Sequence, residues 1–323
     1  MLAATATSFN AQNPTAGLTV GEIPDPVADD GWTLVQVKAS SLNHHDLWSL
    51  KGVGLREDQL PMVLGTDAAG IDEDGNEVVI HAVIGDPARG GGDETLDPKR
   101  SLLSEVYNGT LAQHVAVPRR NLVRKPESLT FEQASCLPTA WLTAYRMLVT
   151  RGALRAGETI LIQGAGGGVS TALVPIAKAL GLRVWVTSRD EGKRSHALQI
   201  GADAVFEPGA RLPERVDAVM ESVGEATWAH SLKSLRPGGR VVVCGSTSGP
   251  NPPADLARVF FLQLSVIGST MGTRDELDAL MHLCEAENLV PLVDRTFALT
   301  DSSAALDYLN SGEAFGKVVV TVA

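Results

Sequence analysis

The densest chemical signal in the 323-residue chain is Gly164-Ala165-Gly166-Gly167-Gly168-Val169, which follows the apolar run TILIQ and opens the segment VSTALVPIAKALG. Glycines at a strand-to-helix turn leave backbone N–H groups open to a pyrophosphate, and the start of the helix favours its negative charge. The spacing predicts a dinucleotide site on Ala165, Gly166, Gly167, Gly168 and Val169, with Ser170 standing where many such loops carry a further glycine. The next apolar run, VWVTS, leads into Ser188 and Arg189, and Lys193 follows about one helical turn later. A hydroxyl and two cations suit a ribose 2′-phosphate, whereas an NAD site places Asp or Glu there to bond the 2′-hydroxyl. Asp190 and Glu191 are the competing carboxylates. NADP(H) is therefore the expected cofactor.

Such groups need a parallel sheet to hold them, and the middle of the chain supplies the pattern. ETILIQGA, RVWVTS, DAVFE, VDAVMESVG, RVVVCGST and LSVIGSTMG read as strands, and amphipathic segments such as EGKRSHALQIG and ATWAHSLKSLRPGG read as helices between them. Near-continuous Val/Ile runs alternating with helices indicate an α/β unit whose sheet is covered on both faces. The first ~125 residues differ: LTVGEIPDP, WTLVQVKASSLN, EVVIHAVIGDP and LAQHVAVPRRNLV are short β-branched runs broken by turn residues. Residues 86–110 are polar and glycine-rich and read as a surface loop or lobe. The texture places domains at 1–124, 125–289 and 290–323, the last returning to a mixed pattern and ending in a strand.

Composition removes several classes of function. Lys plus Arg is 27 and Asp plus Glu is 38, so the formal net charge is −11. A surface this acidic repels nucleic-acid phosphates and anionic lipid. No run approaches the roughly 18 apolar residues of a membrane span, and the first residues lack the pattern of a secretion signal. Cys136, Cys244 and Cys284 form no close pair and no CxxC, which fits free buried thiols in a reducing compartment. A cytoplasmic location is expected.

SLNHHDLWSLKG, LPMVLGTDAAG, NGTLAQHVAVP, LPTAWLTAYRML, the AGGGV loop, LRPGGRVVVCGSTSG, SVIGSTMGTRDEL and the terminal FGKVVV together resemble the medium-chain dehydrogenase/reductases over essentially the whole chain. The resemblance implies a GroES-like β-rich catalytic domain, a Rossmann domain inserted into it, and a C-terminal return to the first domain. Zinc-dependent members carry a Cys, a Gly-His-Glu and a second Cys where this chain has Asn43, Gly65-Thr66-Asp67 and Thr139, and Cys136 falls three residues too early. Neutral Asn and Thr are poor zinc ligands. The family's four-cysteine structural lobe would fall within residues 86–108, which contain no Cys. No zinc and no other metal is expected, and the resemblance is nearest to quinone oxidoreductases and zinc-less dehydrogenase-like proteins.

Without a Lewis acid, hydride addition to an already polarised quinone, enone or related carbonyl asks least of the protein. Zinc-free quinone reductases often carry a Tyr where this chain has Trp48, so the substitute proton donor is sought in the adjacent pair His44 and His45. His45 is preferred as the donor, with His44 reaching toward cofactor phosphates. Asn43 and Thr66 line the vacated metal position and can bond a substrate oxygen. By resemblance, Thr143, Gly245, Ser246, Met271 and Gly272 border the nicotinamide, and Lys317 occupies a recurring position of unassigned role. A metal-free alcohol dehydrogenase or aldehyde reductase is the second reading, and a weakly catalytic NADP-binding sensor or stabilising protein the third. The run QLSVIGSTM, apolar on both faces and last in its sheet, predicts a homodimer together with PPADLARVFF.

Overall fold

β-branched runs bounded by glycine and proline become strands because their side chains pack well on a pleated surface. The computed structural model describes residues 1–322. The chain divides into two compact units, one formed by Met1–Leu142 with the chain from Met271 onward, the other by Thr143–Thr270.

In the first unit the long strand Trp32–Ser41 organises a seven-stranded sheet. Its early residues pair antiparallel with His114–Pro118 and its last residues with the C-terminal strand Lys317–Thr321, in register Val319 with Ser41. Ala69–Asp72 pairs antiparallel with it as well. Leu42 N donates to Val318 O at 2.9 Å, so the C-terminal strand runs directly beside the segment that carries Asn43 and the two histidines. Val35, Val37, Leu47, Leu50, Leu64, Ile80, Leu111, Leu306, Val318 and Val320 fill the core beneath. A smaller sheet sets Leu2–Ala6 between Leu18–Glu22 and Met62–Val63.

The polar stretch 86–110 is not a bare loop. It holds the short helix Glu94–Leu96 and the strand Ser101–Leu102, which pairs with Val83–Ile84. Arg89 clasps the fully buried Asp97 with Nη2–Oδ2 at 2.7 Å and Nε–Oδ1 at 3.0 Å. The Arg89 guanidinium and backbone N–H groups hold that carboxyl far below the usual carboxylate range.

The second unit is a six-stranded parallel sheet in the order Ala204–Phe206, Arg183–Thr187, Thr159–Gln163, Val216–Glu221, Leu235–Val243, Ser265–Gly268. Numbered along the chain that is 3-2-1-4-5-6, the doubly wound Rossmann order, whose topological switch lies between Thr159–Gln163 and Val216–Glu221. Ile160, Leu161, Ile162, Val184, Val186, Ala218, Val219, Val241 and Val242 are buried, as runs covered on both faces must be.

The division into units does not follow the boundaries 1–124, 125–289 and 290–323 read from texture. Phe131–Ala134 packs on Trp32–Ser41 and on Lys317–Thr321, and Arg274–Glu287 packs on Leu122–Arg124. Both helical segments therefore belong to the β-rich unit. An amphipathic pattern reports that a face is buried and does not say against which sheet.

Candidate active site

The segment after Trp32–Ser41 turns into the helix His44–Leu50, with Asn43 as its N-cap residue. Asp46, fully buried, accepts from Asn43 N at 2.8 Å and from Gly65 N at 3.0 Å. Burial pushes the Asp46 carboxyl up, against the charge of His45 and the Asn43 bond. It thus ties the helix start to the Gly65-Thr66-Asp67 turn. Gly65 has φ +98°, and a Cβ there would sit 2.6 Å from Thr110 Oγ1 and 2.8 Å from Leu111 N, so only glycine fits.

This scaffold gathers Asn43, Thr66, Asp67, Thr139 and Lys317. Lys317 Nζ donates to Leu42 O at 2.7 Å, to Asn43 Oδ1 at 2.6 Å and to Asp67 Oδ2 at 3.4 Å. The Asn43 amide donates to Asp67 Oδ2 at 2.8 Å and to Thr66 Oγ1 at 3.2 Å. Ser41 Oγ adds a bond to Asp67 Oδ2 at 2.7 Å. Thr66 Oγ1 and Thr139 Oγ1 lie 3.1 Å apart. Lys317 is 3% exposed and Asp67 0%, so the pair is a buried ion pair with most of its hydrogen bonds made. Thr139 is half-buried and lies in Leu137–Trp141, a π-helical turn of the kind often found at functional sites.

His45 stands beside this cluster. Its Nε2 is 3.2 Å from Glu105 Oε1, and its buried Nδ1 has no hydrogen-bond partner among the described residues. Desolvation opposes its charge, but the Glu105 hydrogen bond and the carboxylates of Asp46, Glu105 and Asp67 prevail and raise the imidazole above its ordinary value. His44 is exposed at its position on the helix. Desolvation by the surrounding protein, then the charges of Lys317 and Lys51, lower it. Of the pair, His45 is therefore the one whose charged form its surroundings favour.

In the Rossmann unit, Gly164 and Gly166 take φ +86° and +100°, and Gly167 caps the helix Gly168–Ala179. Ser170 does the work of a turn residue, its hydroxyl donating to Gly167 O at 3.0 Å. Ala165, Gly168 and Val169 are half-buried and Gly167 is exposed, which leaves this backbone open to a ligand. At the end of Arg183–Thr187, Ser188 Oγ accepts from Asp190 N at 3.2 Å, and Asp190 caps the helix Glu191–Gln199 by accepting from Lys193 N at 2.8 Å. Arg189 is exposed and without a partner among the described residues, and Lys193 is half-buried. Of the two competing carboxylates, Asp190 is thus engaged while Glu191 is exposed, and the Arg189 guanidinium is available.

Thr143 is buried in the helix Leu142–Arg146. Gly245 and Ser246 follow the strand Leu235–Val243, with Ser246 O accepting from Gly249 N at 3.1 Å. Met271 takes φ +49° and packs with Ala82 and Val83, and Gly272 O accepts from the buried His81 Nε2 at 2.8 Å. Met271 and Gly272 are part of the β-rich unit, while Thr143, Gly245 and Ser246 are part of the Rossmann unit. Gln163 and Glu221 close the strands Thr159–Gln163 and Val216–Glu221. Glu221 accepts from Gly224 N at 3.0 Å and Ser231 Oγ at 2.6 Å, and Gln163 joins Ser231 Oγ at 3.0 Å to Thr187 Oγ1 at 2.7 Å. Together they pin the ends of three strands at the switch point. Their only sequence signal was a polar residue closing an apolar run.

Residues 29–127 match the alcohol dehydrogenase GroES-like domain family, and residues 168–286 match the zinc-binding dehydrogenase family. A solved NAD-dependent alcohol dehydrogenase aligns over 100% of both chains at 31% identity with a TM-score of 0.91. The chain belongs to the medium-chain dehydrogenase/reductase superfamily. Among relatives in this superfamily, an acryloyl-coenzyme A reductase of Sulfurisphaera tokodaii is 27% identical over 95% of this chain and 97% of its own length. The human quinone oxidoreductase is 29% identical over 93% and 92%. A 2-octenoyl-CoA carboxylase reductase solved with NADP and 2-octenoyl-CoA shares 26% identity and a TM-score of 0.92, covering 99% of this chain and 87% of that one.

Zinc, implied by the name of one matched family, does not fit the residues present. The positions around Asn43 offer amide and hydroxyl groups rather than thiolate and imidazole, and the Lys317 ammonium already satisfies the Asn43 oxygen and one oxygen of Asp67. Among the described residues, no group of three or more His, Cys, Asp or Glu could hold a metal ion. Nor is any described helix long and apolar enough to cross a membrane. A dinucleotide does fit the glycine loop and the start of the helix behind it.

Proposed function

We propose that this oxidoreductase is NADPH-dependent and zinc-independent, and that it reduces a small quinone, enone or related unsaturated carbonyl compound. The observation that carries the reading is the hydrogen-bonded cluster of Asn43, Thr66, Thr139 and Lys317, where the resemblance to zinc-dependent members implies their metal position. Donors without a Lewis acid suit an acceptor that becomes an enolate better than an alcohol that must first become an alkoxide. Relatives named for acryloyl-CoA and quinone, and the neighbour bound to 2-octenoyl-CoA, support a conjugated acceptor.

NADPH, when bound, supplies the hydride. Gly166, Gly167, Gly168 and Val169 would take its pyrophosphate against the helix start, with Ser188, Arg189 and Lys193 at the 2′-phosphate. Thr143, Gly245 and Ser246 of the Rossmann unit would border the nicotinamide. Thr139 orients the substrate oxygen, and Asn43 and Thr66, whose own donors are taken up within the cluster, stand behind it. His45, with Nε2 3.2 Å from Glu105 Oε1, delivers the proton that completes the reduction.

The alcohol dehydrogenase among the solved neighbours favours one second reading, a metal-free alcohol dehydrogenase or aldehyde reductase. Following NADPH oxidation with quinones, enones, enoyl thioesters and simple aldehydes, with a chelator present throughout, separates the two. Turnover confined to conjugated acceptors is expected, and turnover confined to aldehydes overturns the reading.

The same edge of the Rossmann sheet proposed for dimerisation carries Leu256, Phe260, Phe261 and Val266 at 71%, 73%, 79% and 52% exposure. Ser265–Gly268 is the terminal strand there. A second copy paired across a two-fold axis would cover this edge. Light scattering should find a dimer that Phe260→Asp with Phe261→Asp converts to monomer.

A further inference from the structure

Hydrogen-bond accounting around Lys317 gives the cluster a direction. An ammonium has donors and no acceptor, so the Asn43 group 2.6 Å from Lys317 Nζ must be the amide oxygen. The amide NH₂ then faces Asp67 Oδ2 and Thr66 Oγ1, at 2.8 and 3.2 Å, and both must accept. Thr66 is 1% exposed, and beyond Asn43 its hydroxyl has one hydrogen-bond partner among the described residues, Thr139 Oγ1 at 3.1 Å. A buried hydroxyl hydrogen left unpaired is costly, so Thr66 donates to Thr139. The hydrogen of Thr139 in turn has no acceptor among the described residues, and Thr139 is half-buried rather than sealed.

The geometry points to Thr139 as the group that donates to the substrate's developing oxyanion, with Lys317 acting on it through Asn43 and Thr66. Every link donates in the same sense, from Lys317 to Asn43, from Asn43 to Thr66, from Thr66 to Thr139, and from Thr139 outward. Chains of this kind polarise one another where the dielectric is low. The outermost hydroxyl is thereby a stronger donor than an isolated threonine and a poor acceptor, so the site selects an oxygen that gains negative charge. Lys317 thus supplies by relay some of the positive field that a metal supplies directly. Thr139 is the catalytic residue in this scheme, and Lys317, Asn43 and Thr66 are positioning residues. The inference rests on the reductase reading for its substrate, but the donor chain can be tested without turnover.

The probe is 4-nitrophenol, bound to the NADP⁺-loaded protein at a pH where the free phenol is mostly protonated, with the phenolate read by its visible absorbance. Wild type should bind it enriched in phenolate. Thr139→Val should weaken phenolate binding by about 10–150-fold, the range of one hydrogen bond to a charged group, and Thr139→Ser should keep it. Lys317→Met combined with Asp67→Asn removes both charges of the buried pair together and should lose the enrichment while NADPH binding persists. If that double variant does not fold, the Thr139 variants decide alone. With the best conjugated substrate, Thr139→Val should lower kcat by about 10²–10³-fold, as for one oxyanion donor, with KM little changed. A wild type without phenolate enrichment, or a Thr139→Val protein that retains it, overturns the donor chain. Absence of NADPH turnover on every acceptor, with the phenolate result intact, overturns the reductase reading instead.

Discussion

The candidate nucleotide site of the Rossmann unit is made of backbone, whereas the cluster around Lys317 is made of side chains drawn from residues 43, 66–67, 139 and 317. In the first, positive φ at Gly164 and Gly166 and the start of one helix lie within a few consecutive residues. In the second, the bond from Lys317 to Asn43 spans 274 residues of chain. A backbone site keeps its shape through local geometry and depends on no buried charge. The side-chain cluster depends on the whole β-rich unit and holds an ion pair whose removal by halves leaves a charge stranded. Substitutions in the two regions should therefore fail in different ways.

The largest effect is expected at His45. His45→Ala should lower turnover on the best acceptor by roughly 10²–10⁴-fold if the ring transfers the proton, while NADPH affinity measured by fluorescence stays near wild type. Retained turnover would move proton delivery elsewhere and leave the β-rich unit with an orienting role alone.

Next in size is Lys317→Met, which strands Asp67 and should destabilise the protein by about 3–5 kcal/mol, measured by chemical denaturation. Asp67→Asn in the same chain should recover much of that loss. If the single variant is as stable as wild type, the buried pair is no more demanding than the backbone site and the contrast fails.

A smaller effect is expected at the nucleotide. Arg189→Ala should cost about 1.5–3 kcal/mol, or roughly 10–150-fold in NADPH affinity, with NADH hardly affected. Titration of both cofactors checks this, and an unchanged NADPH constant removes Arg189 from the 2′-phosphate.

The finest test is a pH profile. His45 is raised above its ordinary 6.5 chiefly against desolvation by Glu105, with Asp46 and Asp67 adding to it. Stability from this pair is complete below the ordinary imidazole value and is lost as pH rises through the raised one. Glu105→Gln should therefore shift the alkaline limb of turnover to lower pH and remove that part of the pH-dependent stability. An unmoved limb means that a different group sets it.

The glycine loop, its helix and the cation at Arg189 were legible because strand, turn and helix are contiguous, so spacing along the chain is spacing in space. The commitment of Asp190 to a helix cap was less so, since a carboxylate one residue from Arg189 serves either a cap or a ribose. Asn43 and Thr66 were identifiable as neighbours of a vacated metal position, but Asp67, Ser41 and Thr139 as parts of one network were not. The division at Leu142 and Thr270 was hidden because the helices that cross the texture boundaries, Phe131–Ala134 and Arg274–Glu287, pack on strands of the β-rich unit to which they belong.

Sequence alone determined the elements whose causes are local: β-branched runs that must be strands, glycines that must turn, a helix start directly behind them, and side chains other than thiolate and imidazole at Asn43, Thr66 and Thr139. Tertiary structure decided that a lysine near the C-terminus stands at that place. Lys317–Thr321 could have paired at any free edge, and only its antiparallel register with Trp32–Ser41 brings the ammonium to Leu42, Asn43 and Asp67. Register is set by which face of a strand the core accepts. The burial of Val318 and Val320 among residues distant in sequence is what makes that choice.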